Sequence, residues 1–307
     1  MPSPELLPTT SQVRRLLRDQ MPASLRALAE ARLEPAAQGW DNAMFRLGPS
    51  HAVRLPVRRA SVPCLLHEMR WTAEVSTPLD ALGVAAPRPV FGGRPGAGYP
   101  WPWAVVPWTE GEAVATLPVA ERGRIAGDLA RALTALHRPA PVDAPRNPYR
   151  GIPLADRIAS AGPRWPAVAQ RIGTERTGQL RAVVEQGLRA EPWGRPPVWL
   201  HGDPHPWNLV QRQGRLVGVV DFGDVCGGDP ASDLATAWLT LDGPQRAAFR
   251  GVVDATGTYD DAVWARAAAW AALLVGVLAL DQASARRFGP VVEHAAAQLG
   301  PAEGEKP

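Results

Sequence analysis

The chain has 307 residues, 46 % of them apolar, and carries 33 Lys and Arg against 30 Asp and Glu for a formal net charge of +3. That length and apolar content allow one large domain or two ordinary ones with a sizeable core. All the basic residues are arginine except Lys306 near the C-terminus, so mechanisms that need a buried lysine are excluded: no Schiff base, no P-loop lysine, no lysine general base. Two cysteines, Cys64 and Cys226, are too few for a disulfide scaffold or a structural zinc site and read as packing residues.

Residues 10–32 read as a helix with Val13, Leu16, Leu17, Met21 and Leu25 on one side. A turn signal at 38–42 follows, then two short strands, 43–47 and 52–55, joined by Gly48-Pro49-Ser50 as a hairpin. Residues 62–75 fit a helix carrying Leu65, Leu66, Glu68 and Met69, 92–98 a glycine-rich loop, and 103–106 a strand closed by Pro107. From about residue 117 the pattern turns helical: 119–137 reads as one amphipathic helix stopped by Pro139 and Pro141. Residues 142–152 and 161–166 read as Pro-rich connections, and 176–189 as a helix. Two apolar runs, 198–200 and 216–220, flank a Gly/Pro/His/Asp loop, and 232–298 reads as three or four helices. The longest apolar run, Ala267 to Leu280, is 14 residues long, short of the ~20 a spanning helix needs, and reads as a core helix. With no basic and apolar leader after Met1, a soluble, cytoplasmic protein is expected.

Charge is unevenly spread. Residues 1–110 hold 12 bases and 9 acids, whereas 201–261 hold 4 bases and 9 acids. Such an acidic segment suits a metal ion or a cationic ligand and would repel a nucleic-acid backbone; no nucleic-acid or membrane partner is expected. Within it lies the strongest signal, His201-Gly202-Asp203-Pro204-His205-Pro206-Trp207-Asn208, with Asp221-Phe222-Gly223 further on. One strand ends in a loop presenting a carboxylate and then a carboxamide, and a second strand delivers another carboxylate. Phosphoryl transfer explains each part. Asp203 can orient or accept the proton of an attacking hydroxyl, and Asn208 and Asp221 are hard oxygen ligands that can hold Mg²⁺ against nucleotide phosphates.

His-Gly-Asp-x₄-Asn followed by Asp-Phe-Gly resembles the aminoglycoside phosphotransferase family of the protein-kinase-like fold, with choline and homoserine kinases as relatives. Gly228-Asp229-Pro230-Ala231-Ser232-Asp233-Leu234-Ala235 matches that family's G-D-P-x-x-D-L-A stretch, and the resemblance spans roughly residues 35–280. It implies an α+β, bilobal fold: an N-lobe over residues 1–110, with a small antiparallel sheet, and a mainly helical C-lobe over 111–307. It also implies a small-molecule kinase that moves the γ-phosphoryl group of ATP or GTP to a hydroxyl of an aminoglycoside-like antibiotic or a related metabolite.

Site roles follow residue by residue. Asp203 is the catalytic aspartate, and Asn208 and Asp221 the Mg²⁺ ligands. Gly39 and Asn42 sit in the nucleotide-positioning hairpin. Arg54 stands where relatives place a phosphate-binding lysine, with Glu68 as its partner and Glu74 as the alternative. Pro107 and Thr109 offer a carbonyl and an N–H to adenine. His205 and Asp224 are candidate substrate or loop residues, and His201 a loop-bracing one. Asp233 and Asp229 read as helix caps or loop braces. A nucleotide-binding pseudokinase regulator is the alternative raised by the missing lysine, and a zinc hydrolase built on His201 and His205 is a third reading.

Overall fold

Period-two alternation explains how the N-terminal sheet is used on both faces. In the computed structural model, which describes residues 3–38, 41–281, 283 and 285–299, five strands form one antiparallel sheet. They are β1 (Leu33–Gln38), β2 (Asn42–Leu47), β3 (His51–Pro56), β4 (Phe91–Gly93) and β5 (Trp103–Pro107), in the order β1-β2-β3-β5-β4. Val53, Leu55, Phe45, Val105 and Trp103 point to one face and pack with Val13, Leu16 and Leu17 of the Thr10–Gln20 helix. Ala52, Met44, Ala104 and Val106 point to the other and meet Leu65 and Met69 of the Val62–Val75 helix. Arg54, two residues from Ala52, therefore faces that second helix.

The expected 10–32 helix is shorter. A capping box starts it, with Thr9 Oγ1 accepting from the Gln12 N–H. Pro22 lacks the N–H to continue it past Gln20, so a 3₁₀ turn (Ala23–Leu25) and a short helix (Arg26–Ala29) lead into β1. The sequence reading missed β1 because it is an edge strand interrupted by Pro35 and a bulge between Pro35 and Ala37.

The C-terminal region is mainly helical. Its short strands are β6 (Glu112–Ala113), β7 (Val198–Leu200), β8 (Leu209–Arg212), β9 (Arg215–Val219) and β10 (Cys226–Gly228). They form a β6-β8-β9 sheet and a β10-β7 pair, which hold the two ends of the Gly/Pro/His/Asp loop. The expected 119–137 helix breaks at Gly123 into Val119–Arg122 and Ala126–Leu136, joined by a 3₁₀ turn. Residues 161–166 are not simply a connection: Leu154–Ala161 ends there, and Trp165–Ile172 begins with Pro166 in its first turn, where proline starts a helix.

The Asp261–Leu280 helix is 20 residues long, six more than the apolar run alone suggests, because Asp260 caps it upstream through the Val263 N–H. It is the one helix among the described residues long and apolar enough to cross a membrane, and 61 % of its most apolar window is buried inside the molecule. It crosses the Thr174–Arg189 helix at Gly187, where a Cβ would lie 2.3 Å from that of Ala269.

Asp128 ties the Ala126–Leu136 helix to β9. Its carboxylate accepts from Arg215 Nε at 2.7 Å, Arg131 Nη2 at 2.7 Å and the Leu216 N–H at 3.2 Å. Burial pushes this carboxyl up, but the bonds from Arg215 and Arg131 outweigh it and hold the group below its ordinary 3.8. A depressed folded-state value means stabilisation present above the unfolded value and lost as pH falls through the folded one. Asp128→Asn should therefore cost about 1 kcal/mol near neutrality, because both arginines are largely exposed. In urea titrations across pH, the difference between the two proteins should shrink only below about pH 4; a difference that disappears already at pH 5 would contradict the pairing.

Candidate active site

The loop between β7 and β8 owes its shape to Asp233 and Gly202. Asp233, fully buried, accepts from the backbone N–H of His201 at 2.8 Å and of Gly202 at 2.9 Å, and lies 3.3 Å from His137 Nε2. It braces this loop through those two N–H groups rather than capping the helix it sits in. Asp229 does cap, accepting from the Ala231 N–H at 3.0 Å, and it also pairs with Arg266 Nε at 2.7 Å, both side chains being buried. The signal for that partner was present: a lone arginine beside a wholly apolar helical run needs a buried acid.

Gly202 has φ +91°, and a Cβ there would stand 2.2 Å from the backbone oxygen of Asp224. Gly202→Ala should thus cost about 1–3 kcal/mol from strain alone and displace the loop. The check is a lowered thermal midpoint together with lost turnover; an unaltered midpoint would mean the close approach is not needed.

His201 is pinned at both ring nitrogens, with Nδ1 accepting from the Asp203 N–H at 3.2 Å and Nε2 donating to the Val220 carbonyl at 3.0 Å. Its ring also packs edge-on to the buried Phe222. Neither nitrogen is left for a metal, which removes the basis of a zinc site built on His201. Loop bracing is its role, as the sequence reading expected.

Asp203 projects from this loop. Its Oδ1 accepts from Arg150 Nη2 at 3.0 Å, and its Oδ2 lies 3.4 Å from His205 Nε2. Burial pushes the Asp203 carboxyl up, yet His205, Arg150 and His201 together hold it below the usual aspartate range. Burial holds His205 below its ordinary value, against the opposing pull of the Asp203 carboxylate. Arg150 comes from the Pro-rich stretch 142–152, where no motif marked it.

Asp221 stands at the end of β9 in the left-handed region, φ 67° and ψ 68°. Arg54 reaches it: Nη2 donates to Asp221 Oδ1 at 2.7 Å, while Nη1 donates to Glu68 Oε1 at 2.9 Å. Glu68, not Glu74, is the partner; it lies on the buried face of this helix, one turn after Leu65 and one turn before Trp71 and Thr72. Burial pushes the Glu68 carboxyl up, and Arg54 only partly offsets it. For Arg54 itself the two carboxylates overcome burial and keep the guanidinium charged. The contact to Asp221 was not expected; it joins the strand arginine of the sheet to the aspartate of the helical region.

Two cavities meet here. The first, about 280 Å³, is lined by Asp203, His205, Asp224, Arg150, Arg157 and an apolar wall that includes Leu239, Leu274 and Phe288. The second, also about 280 Å³, is lined by Asn42, Arg54, Pro107 and Thr109. The Trp108 N–H between the last two is spent on the Ser50 carbonyl at 2.8 Å, and Trp108 stacks on Arg46. Asn208 and Asp221 line both cavities. Gly39 lies outside the described residues, whereas Asn42 is buried in β2 with its Oδ1 unpaired. Asp224 Oδ1 accepts from Asn147 Nδ2 at 2.7 Å, and burial pushes its carboxyl up. Cys64, expected as packing, lines the first cavity, with its thiol pushed up to about 12 by burial.

The donor set suits Mg²⁺. Asn208 Nδ2 donates to the Asp203 carbonyl at 3.0 Å, turning its Oδ1 away from that bond, and Arg54 takes only one oxygen of the half-exposed Asp221 carboxylate. Two hard protein oxygens completed by phosphate and water are what this ion accepts. Among the described residues no group of three or more His, Cys, Asp or Glu side chains could hold a metal by itself.

The chain is similar to solved phosphotransferases along nearly its whole length. For APH(2")-IIia, solved with GDP and kanamycin, identity is 16 %, the TM-score 0.59, and the match covers 93 % of this chain and 96 % of that one. For the streptomycin-ATP-APH(2")-IIa ternary complex the values are 17 %, 0.56, 89 % and 91 %. For macrolide 2'-phosphotransferase MphH from Brachybacterium faecium they are 18 %, 0.53, 96 % and 100 %. At such identities the likeness carries the fold: a small antiparallel sheet followed by a helical region, as in the kinase-like phosphotransferases. No curated protein matches the sequence. The model of the phosphotransferase enzyme family matches residues 32–270, more than three quarters of the chain. With the loop carrying Asp203 and Asn208, the strand cation Arg54 and the Asp221-Phe222-Gly223 aspartate assembled at one junction, the chain belongs to that family and is a phosphotransferase.

Proposed function

We propose that this protein transfers the γ-phosphoryl group of a nucleoside triphosphate to a hydroxyl of a small molecule, either an aminoglycoside-like antibiotic or a related metabolite. The observation that carries this reading is the placement of Asn208 and Asp221 on the shared wall of two cavities, with Asp203 facing one and Arg54, Pro107 and Thr109 facing the other. The nucleotide occupies the second cavity, its base against Pro107 and Thr109 and its phosphates toward Arg54. The acceptor occupies the first.

Asp203 orients the acceptor hydroxyl and takes its proton. Its depressed value keeps it ionised at neutral pH, and Arg150 fixes its direction. Asn208 and Asp221 would hold Mg²⁺, which neutralises charge on the phosphates when bound. Arg54 supplies fixed positive charge where relatives use lysine, with a planar fork held by two carboxylates. Residues 1–110 and 111–307 act as the two lobes. A cytoplasmic enzyme fits this reading, since nucleoside triphosphates are supplied there.

One observation favours a neutral or anionic acceptor over a polycation. Each carboxylate of the acceptor cavity is already engaged: Asp41 by Arg58 and Ser61, Asp203 by Arg150, Asp221 by Arg54 and Asp224 by Asn147. The guanidinium already placed on three of them offsets their charge and weakens the pull on a polycationic sugar.

The test is acceptor-dependent consumption of ATP or GTP with Mg²⁺ over aminoglycosides, macrolides, choline-like alcohols, hydroxy acids and sugars, with the phosphate ester identified by mass. Turnover with any of them, yielding the ester, is the expected result. Nucleotide binding with no ester across the panel would favour a pseudokinase regulator instead.

A further inference from the structure

Lining both cavities is a purely geometric property, and among the described residues four share it: Asp41, Asn208, Asp221 and Arg287. It recovers the two residues that sequence spacing marks as metal ligands. Asp41 is committed, bound by Arg58 Nη2 at 2.8 Å and Ser61 Oγ at 2.6 Å. Arg287 is left. It belongs to the C-terminal helix Ala285–Gln298, beyond the stretch matched by the family model.

Arg287 is fixed to the catalytic loop at two points. Its backbone carbonyl accepts from Trp207 Nε1 at 3.0 Å, and its guanidinium lies 4.7 Å from the centre of the Trp207 ring. Trp207 immediately precedes Asn208, so the cation is held against the residue next to a candidate metal ligand. Stacking on Trp207 orients a guanidinium while leaving its in-plane N–H donors unused. The side chain forms no ion pair and no hydrogen bond with the described residues, in contrast to Arg54, Arg58 and Arg150, each tied to a carboxylate. Among the described residues, the junction thus holds one oriented cation without an ion pair or hydrogen bond, at the place where a group must pass from one cavity to the other.

We propose that the Arg287 guanidinium binds the oxygens of the phosphoryl group in transfer, which makes it a catalytic residue of this enzyme. The proposal rests on the phosphotransfer reading above. In the step, the acceptor oxygen forms a bond to the γ-phosphorus while the bond from that phosphorus to the β–γ bridging oxygen breaks. The electron pair leaves with the nucleoside diphosphate, and the hydroxyl proton passes to Asp203. Through this exchange the three peripheral oxygens of the phosphoryl group keep their negative charge. A fixed guanidinium at the junction stabilises them without a proton to gain or lose.

The test needs no acceptor. Affinities for ADP and for the β,γ-imido analogue of ATP, both with Mg²⁺, are measured by calorimetry on the unaltered chain, Arg287→Met and Arg287→Lys. Met keeps an apolar stem over Trp207. Loss of charge-assisted bonds should weaken the triphosphate analogue on the order of tenfold to a hundredfold and leave ADP within about twofold. Arg287→Lys should recover part of the loss; if Arg287→Met does not fold, the same selective weakening is read from Arg287→Lys. Equal weakening of both ligands, or no change in either, overturns the assignment, and the second result would leave an acidic acceptor group as the ligand of Arg287. An unaltered chain that binds neither nucleotide overturns the functional reading as well, whereas one that binds both tightly with Arg287 irrelevant overturns this assignment alone.

Discussion

Asp203→Asn should lower phosphoryl transfer by about 100- to 10,000-fold, the usual weight of a positioned general base, while fold and nucleotide affinity stay near those of the unaltered protein. The substitution is close to isosteric. The asparagine Oδ1 can still accept from Arg150, and the loop is braced by His201, Gly202 and Asp233 through bonds in which the Asp203 side chain takes no part. What is lost is the ability to take a proton from the acceptor. Steady-state turnover with any active acceptor, beside nucleotide affinity measured by calorimetry, separates these effects. Turnover within a few-fold of the unaltered enzyme would remove Asp203 from the chemistry.

The largest effect on stability is expected far from any phosphate. Arg266→Met should destabilise the fold by about 3–5 kcal/mol, as happens when one partner leaves a buried ion pair. Arg266 Nε and Nη2 bind Asp229 at 2.7 and 3.2 Å, and Nη1 donates to the Glu191 carbonyl. Both side chains are more than nine-tenths buried, so the stranded carboxylate would have little water to turn to. The double variant Arg266→Met/Asp229→Asn should recover part of the loss, since it removes the uncompensated charge while the Ala231 cap survives on Oδ1. Urea unfolding at neutral pH reads both variants. A cost below about 1 kcal/mol, the range of exposed pairs, would show that water reaches this site.

What could be read in advance divides by range along the chain. Asp203, Asn208 and Asp221 were legible because a short loop and the following strand end fix their spacing, and the structure brings them together at one junction. Arg54 and Glu68 were legible through the resemblance, which places a cation on that strand and an acid on the following helix, and the structure pairs the two. Arg150 and Arg287 were not: they lie far from Asp203 in sequence, one in a Pro-rich connection and one near the start of the last helix, and only tertiary packing brings them in. The strands missed were β1, β4, β6, β8 and β10, short or edge segments with too few residues for alternation to register. The helices at Leu154–Ala161 and Trp165–Ile172 were missed because proline was taken as a stop at positions where it starts a helix.

The arginine at position 54 also changes how this protein responds to covalent probes. Nucleotide-derived acylating reagents deliver their label to an amine beside the phosphates. Here that position holds a guanidinium kept protonated by Asp221 and Glu68, which is not acylated near neutral pH. The chain's single lysine, Lys306, lies outside the described residues. On the proposed nucleotide placement, amine-directed labelling at position 54 would therefore fail on this chain. A dicarbonyl reagent that forms adducts with arginine is the matching chemistry, and nucleotide protection from it would report the site that the amine probe leaves silent.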